Sequence, residues 1–289
     1  MASKANNENR DDVNPQAAEM TFWEHLEELR WHLVRSIIAV IVIAILAFLN
    51  KDFLFNTIIL APKSSNFITN QWLCELGKFV SEKFSIASAQ ALCIENFDLK
   101  LINIKMAGQF SIHISISFFT GIILAIPYII FELWRFVKPA LHPHEQSHTR
   151  GAVFWTSSLF LLGVLFSYFL IVPLSVLFLG SYNVSENVEN QIALTSYIST
   201  VVSLTFAVGL VFEMPILVFF FTKAGIVTPN FMRKNRRVMI VVVLIIAAII
   251  TPPDVFSQIL VSIPLLILYE ISIIISQRVY KRRMAALAG

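Results

Sequence analysis

Six long apolar runs constrain this chain more than any other feature. They lie roughly at 33–49, 110–134, 153–179, 197–221, 238–250 and 255–276. About 20 apolar residues cross a typical bilayer as a helix. Lipid offers no partner to an unpaired backbone N–H or C=O, so spanning segments must satisfy themselves. The second, third and fourth runs meet the length easily. Composition agrees, with 56% hydrophobic and 14% charged residues, against about 25% charged in a soluble domain. The expectation is an all-α polytopic membrane protein with six transmembrane helices, the fifth and sixth short. The fifth run covers only 238–250, and the sixth is interrupted by Ser257, Gln258, Ser262, Pro264 and Glu270. The two are read as short spans joined at Thr251-Pro252-Pro253-Asp254, where the prolines end one helix and Asp254 can cap the next. A single re-entrant hairpin is the alternative.

Lys and Arg in the loops set the orientation. Lys223, Arg233, Lys234, Arg236 and Arg237 lie between runs four and five. Arg278, Lys281, Arg282 and Arg283 follow run six, and Arg135, Lys138 and Arg150 lie between runs two and three. The segments 180–196 and 251–254 contain neither Lys nor Arg. Both termini are therefore expected in the cytoplasm. The long loop 50–109 carries six lysines with five acids; loops of that length follow the rule poorly. It is expected to form a cap on the exported side, with helical apolar spacing over 72–84.

Residues 1–20 are polar, mixed in charge and without an apolar core, so they read as a disordered cytoplasmic tail rather than a signal peptide. The stretch 21–34, TFWEHLEELRWHLV, is amphipathic. Thr21 and Glu24 fit a capping box, and Phe22, Leu26, Leu29 and Leu33 fall on one helix face. This predicts a helix lying on the membrane surface that turns into the bilayer near Val34. A solvated helix start is the alternative. Residues 281–289 form a basic cytoplasmic tail.

Few residues could carry chemistry. There is no GxSxG, HExxH or GxxxxGK[ST] motif, and the two cysteines, Cys74 and Cys93, have no CxxC partner. The net charge of +3 is too small to argue for nucleic acid. No enzyme activity and no cofactor are expected. Ionisable groups inside spans are functional candidates. Glu213, near mid-span, is the sharpest, since an acid at helix centre costs about 2.5–3.5 kcal/mol on insertion scales. A neutral, hydrogen-bonded Glu213 is the alternative. Glu132 and Glu270 lie near cytoplasmic ends, where snorkelling would suffice, and His113 reads as a packed polar residue. Pro127, Pro173, Pro215 and Pro264 sit inside spans and are expected to kink them into a curved wall. Cys74 and Cys93 share the exported loop, an oxidising place, and are expected to form a disulfide; a free buried pair is the alternative.

Five ordered patches resemble one family: His25–Arg30 as H-L-E-E-L-R; Leu60-Ala61-Pro62; 131–145 as FELWRFVKPALHPHE; Phe212-Glu213-Met214-Pro215; and 251–258 as TPPDVFSQ. Together they look like TatC, the multi-spanning subunit of twin-arginine protein translocases. The resemblance implies an inner-membrane receptor for folded precursors, driven by the proton-motive force. It implies single-span TatA-type partners in an oligomeric complex and leaves open whether a separate TatB-type partner exists. It assigns signal-peptide binding to Glu28 and Glu145, with His25, Leu29, Arg30 and Phe136 around them. Carboxylates suit this role because they take guanidinium groups in bidentate, charge-assisted bonds. It assigns partner contact and transport to Glu213, Pro62, Asp254 and Gln258. His32 departs from the family pattern, where a second basic residue is common, and so do Gln146-Ser147 after Glu145. Two rival readings differ in class. A proton-coupled small-molecule transporter would use Glu213 and His113 and predicts an internal repeat, which the sequence does not show. An intramembrane enzyme would need a nucleophile or metal set within the spans.

Overall fold

The computed structural model describes residues 22–64, 66–84, 99–137, 149–183, 185, 190–251 and 255–288. It is almost wholly helical. The first helix, α1 (Phe22–Leu49), is unbroken, and the turn expected near Val34 is absent. Its sequence contains neither Gly nor Pro. The Ser36 hydroxyl donates to His32 O at 2.9 Å within the same helix, so nothing interrupts the ladder. Its 28 residues extend about 42 Å. That exceeds a hydrocarbon core of about 30 Å, so the charged first turns pass the membrane edge without bending.

A π-helical segment (Phe53–Ile59) and a 3-10 turn (Ala61–Lys63) lead to α2 (Ile68–Phe84). The π geometry leaves carbonyls without their usual partners, and tyrosines supply donors. Tyr168 donates to Ile58 O at 2.7 Å and Tyr197 to Ile59 O at 2.8 Å. A short strand, β1 (Leu101–Ile102), precedes α3 (Gly108–Val137). Helix α3 runs antiparallel to α1: His32 meets Glu132, Ala44 meets Gly121 and Phe48 meets His113. A Cβ at Gly121 would stand 2.8 Å from Val40 O and 2.9 Å from the Ala44 Cβ. Only glycine allows the two backbones this close.

The third apolar run forms α4 (Thr149–Phe166), a π turn (Ser167–Ile171) and α5 (Val172–Ser181). Strand β2 (Ile192–Ala193) pairs parallel with β1 and joins two loops at one end of the helices. The fourth run is α6 (Leu194–Val211) and α7 (Met214–Ala224), separated by Phe212 and Glu213. Helix α7 ends on Gly225, whose φ of 82° is left-handed. The short α8 (Pro229–Lys234) is capped by the Thr228 hydroxyl. It is followed by α9 (Arg236–Ile250) and α10 (Val255–Ala288). Ile171, Val172, Leu204, Val208, Val243, Val261 and Leu265 form one buried core. Ile38, Ile41, Val42 and Ile45 of α1 stay exposed, as lipid-facing residues do.

Among the described residues, five helical stretches are long and apolar enough to cross a membrane: Leu26–Leu49, Gly108–Val137, Gly151–Ser181, Leu194–Ala224 and Ser257–Ala285. The fifth apolar run, α9, is the short one at 15 residues. The sixth differs from expectation: α10 is the longest helix, 34 residues. Its polar residues do not interrupt it because Ser262 and Ser272 return their hydroxyls to Gln258 O and Leu268 O, each at 2.6 Å. The 281–288 part of the tail continues this helix. Only two of the four prolines lie at interruptions. Pro215 follows the Phe212-Glu213 break and Pro173 follows the π turn, while Pro127 and Pro264 lie inside unbroken helices.

Candidate functional site

The N-terminal half of α1 and the C-terminal half of α3 enclose a charged cluster. His32 is its centre, with a side chain only 8% exposed. Its Nδ1 bonds the Glu132 carboxylate. A carboxylate only accepts, so this nitrogen carries the proton. Glu132 Oε1 accepts from the Tyr128 hydroxyl at 2.9 Å, and Arg35 Nη1 lies 3.9 Å from Oε2, the oxygen bonded to His32. Glu132, expected to snorkel, is therefore buried and held by three partners. Charge pairing and hydrogen bonds together offset its desolvation. The ring of Phe136 meets His32 edge-on at 6.1 Å between centroids.

Glu28 sits one turn before His32 on α1. Its Oε1 is 3.9 Å from His32 Nε2, and its side chain is 37% exposed. It thus faces water on one side and the buried cluster on the other. Leu29 and Arg30 are exposed, and Arg30 pairs with Glu27 at 3.5 Å rather than with Glu28. His25 lies in α1, with its side chain outside the described residues. Glu145 also lies outside the described residues; among the described members of the expected signal-binding set, Glu28 and Phe136 meet the cluster. The Glu28–His32 spacing of one turn is legible in sequence. The partnership with Glu132, from a helix a hundred residues on, is not.

Glu213 occupies the break between α6 and α7. Its backbone carbonyl accepts from Ile216 N at 3.0 Å and Leu217 N at 3.1 Å. Both carboxylate oxygens are buried without a hydrogen-bond partner among the described residues. They face the Phe160 backbone on α4. Gly163 and Gly209 bring α4 and α6 together here, since a Cβ at Gly163 would stand 3.0 Å from the Gly209 Cα. His113 is elsewhere, stacked on Phe48 at 4.0 Å with Nε2 3.0 Å from Phe48 O. The two residues a small-molecule transporter would need are not brought together.

Pro62 is buried, and its carbonyl accepts from Asn70 Nδ2 at 3.1 Å. Gln258 Nε2 donates to Leu244 O at 3.1 Å and so ties α10 to the short α9. Asp254 lies outside the described residues. Cys74 is half-buried on α2 and disulfide-bonded; Cys93 lies outside the described residues. Among the described residues no group of His, Cys, Asp and Glu could hold a metal ion.

Comparison with known proteins agrees with this architecture. Residues 24–264 match the family model of the Sec-independent protein translocase protein TatC. The chain is 38% identical over 265 residues to the Sec-independent protein translocase protein TatC of Blattabacterium sp. subsp. Periplaneta americana (strain BPLAN), covering 92% of this chain and 98% of that relative. It is 33% identical over 265 residues to TatC of Aquifex aeolicus (strain VF5), with 91% and 98% covered. A crystal structure of the twin arginine translocase receptor TatC superposes with a TM-score of 0.61 at 33% identity, over 89% of this chain and 99% of that one. Helices of membrane length, the ordered motifs on α1, α3 and the α6–α7 break, and near-full-length similarity converge on one conclusion: this multi-pass membrane protein belongs to the TatC family of Sec-independent protein translocase subunits.

Proposed function

We propose that the chain is the signal receptor of a twin-arginine translocase in the cytoplasmic membrane. It binds the paired arginines of a folded precursor at Glu28 and Glu145. With TatA-type and TatB-type single-span partners it exports that precursor using the proton-motive force. The observation that carries this reading is the placement of Glu28. A carboxylate half-open to water, on an unbroken helix and backed by a buried charge cluster, is preorganised for a guanidinium. Leu29 and Arg30 lie exposed beside it, as a peptide-contact surface requires.

The same reading places both termini in the cytoplasm, with α9 as the short fifth of six spans. Loops 50–109 and 180–196 then meet on the exported side, which the pairing of β1 with β2 supports. The Cys74 bridge is assigned to Cys93, which closes a loop of about 20 residues and contributes roughly 3 kcal/mol by loop entropy. Glu213, Pro62, Asp254 and Gln258 serve partner contact and transport.

The test is co-purification of the full chain with a twin-arginine precursor and with its twin-lysine variant. Lysine is a point charge and cannot make the bidentate contact, so retention of the arginine form alone is expected. Equal retention of both forms contradicts the reading.

A further inference from the structure

His32 stands where the family pattern favours a permanent cation, and the structure gives this titratable residue two acidic partners. Its ring is fixed: Nδ1 is bound to Glu132, Phe136 lies against its edge, and the side chain is nearly closed to solvent. Rotation away from Glu28 would break the bond to Glu132. The remaining nitrogen, Nε2, therefore points towards Glu28 in either protonation state. In the neutral ring Nε2 is a lone pair facing a carboxylate. In the imidazolium it is an N–H facing that carboxylate at ion-pair range, 3.9 Å.

The acids facing His32 are Glu28 from its own helix and Glu132 from α3, while Arg35 and Tyr128 face Glu132. Arg135 adds a further cation near Tyr128. For the inner set of Glu28, Glu132 and Arg35, the charges close at zero only when His32 is an imidazolium. A guanidinium arriving at Glu28 adds positive charge beside that ring. Like charges a few ångströms apart in a partly dry site repel strongly.

We propose that His32 is a built-in competitor for Glu28: as an imidazolium anchored on Glu132 it neutralises Glu28 in the empty receptor, and a bound arginine expels its proton to solvent. His32 is a positioning residue here, acting through Glu28, and the inference rests on the signal-site reading above. Ligand binding is then linked to proton release, and by linkage affinity rises with pH through the titration of His32.

The experiment uses the purified full chain in detergent and a synthetic peptide carrying the twin-arginine motif. Affinity is measured by fluorescence anisotropy, and protons released by calorimetry in buffers of different ionisation heat. Wild type is expected to gain about fivefold or more in affinity between about pH 5.5 and about pH 7.5, with protons released on binding. His32→Gln keeps a donor for Glu132 but cannot titrate, and is expected to flatten the profile and abolish the difference in proton release. A wild-type slope and proton release in His32→Gln, with affinity lost in Glu28→Ala, overturn this inference and leave the signal site standing. Unchanged affinity in Glu28→Ala overturns the signal site and this inference with it.

Discussion

Glu132 shows what a buried charge costs and what holds it. His32, Tyr128 and Arg35 all act on one carboxyl that is 3% exposed. Removing one member of a buried pair typically costs about 3–5 kcal/mol, because the other is left uncompensated. Glu132→Ala is therefore expected to lower the melting temperature of the purified protein markedly, while Glu27→Ala, on the exposed Arg30 pair, leaves it unchanged. At Glu28 the effect is on binding. Glu28→Ala is expected to weaken peptide affinity by about 2–5 kcal/mol, as loss of one partner of a charge pair does. Glu213 is the opposite case, a carboxyl whose oxygens find no partner among the described residues. Glu213→Leu is expected to reduce transport or partner assembly while peptide affinity stays at the wild-type value. Equal loss of both would contradict a separate role.

Among the elements, α9 is the anomaly. Its 15 residues span about 22 Å, short of a hydrocarbon core of about 30 Å. A short span thins the bilayer or recruits neighbours. Here Gln258 Nε2 donates to Leu244 O at 3.1 Å, tying the start of α10 to α9. Inserting one turn of leucines into α9 is expected to abolish precursor transport while leaving peptide binding intact. Normal export by that variant would reduce the short span to packing. The run 238–250 and its shortness are legible in sequence because hydropathy alone sets them. The long α10 is not, since its serines look like breaks until their hydroxyls are seen returning to the helix. Likewise the charges of 21–34 suggest a surface helix, but only the unbroken ladder shows that a long helix reaches water without turning. Glu28 is legible as a motif residue. Its coupling to Glu132 is not, because antiparallel packing across Gly121 decides it and no local pattern encodes that register.

At the scale of the molecule, two junctions define the architecture. The α1–α3 pair carries the charged cluster at one end and the Phe48–His113 stack at the other. The β1–β2 pair ties the first long loop to the loop before α6. Reporters fused after Arg237 and Arg283 are expected to stay cytoplasmic, and those within 180–196 to be exported. Cytoplasmic labelling of 180–196 would invert the topology and move Glu28 to the wrong side of the membrane for a precursor. The central claim is recognition of paired arginines at the Glu28 face. Its most direct test is the affinity of the purified full chain for a twin-arginine peptide and its twin-lysine counterpart, in wild type and in Glu28→Ala. The expected result is tight binding of the arginine peptide by wild type alone, with the two peptides indistinguishable in Glu28→Ala. Undiminished preference for arginine in Glu28→Ala would contradict it.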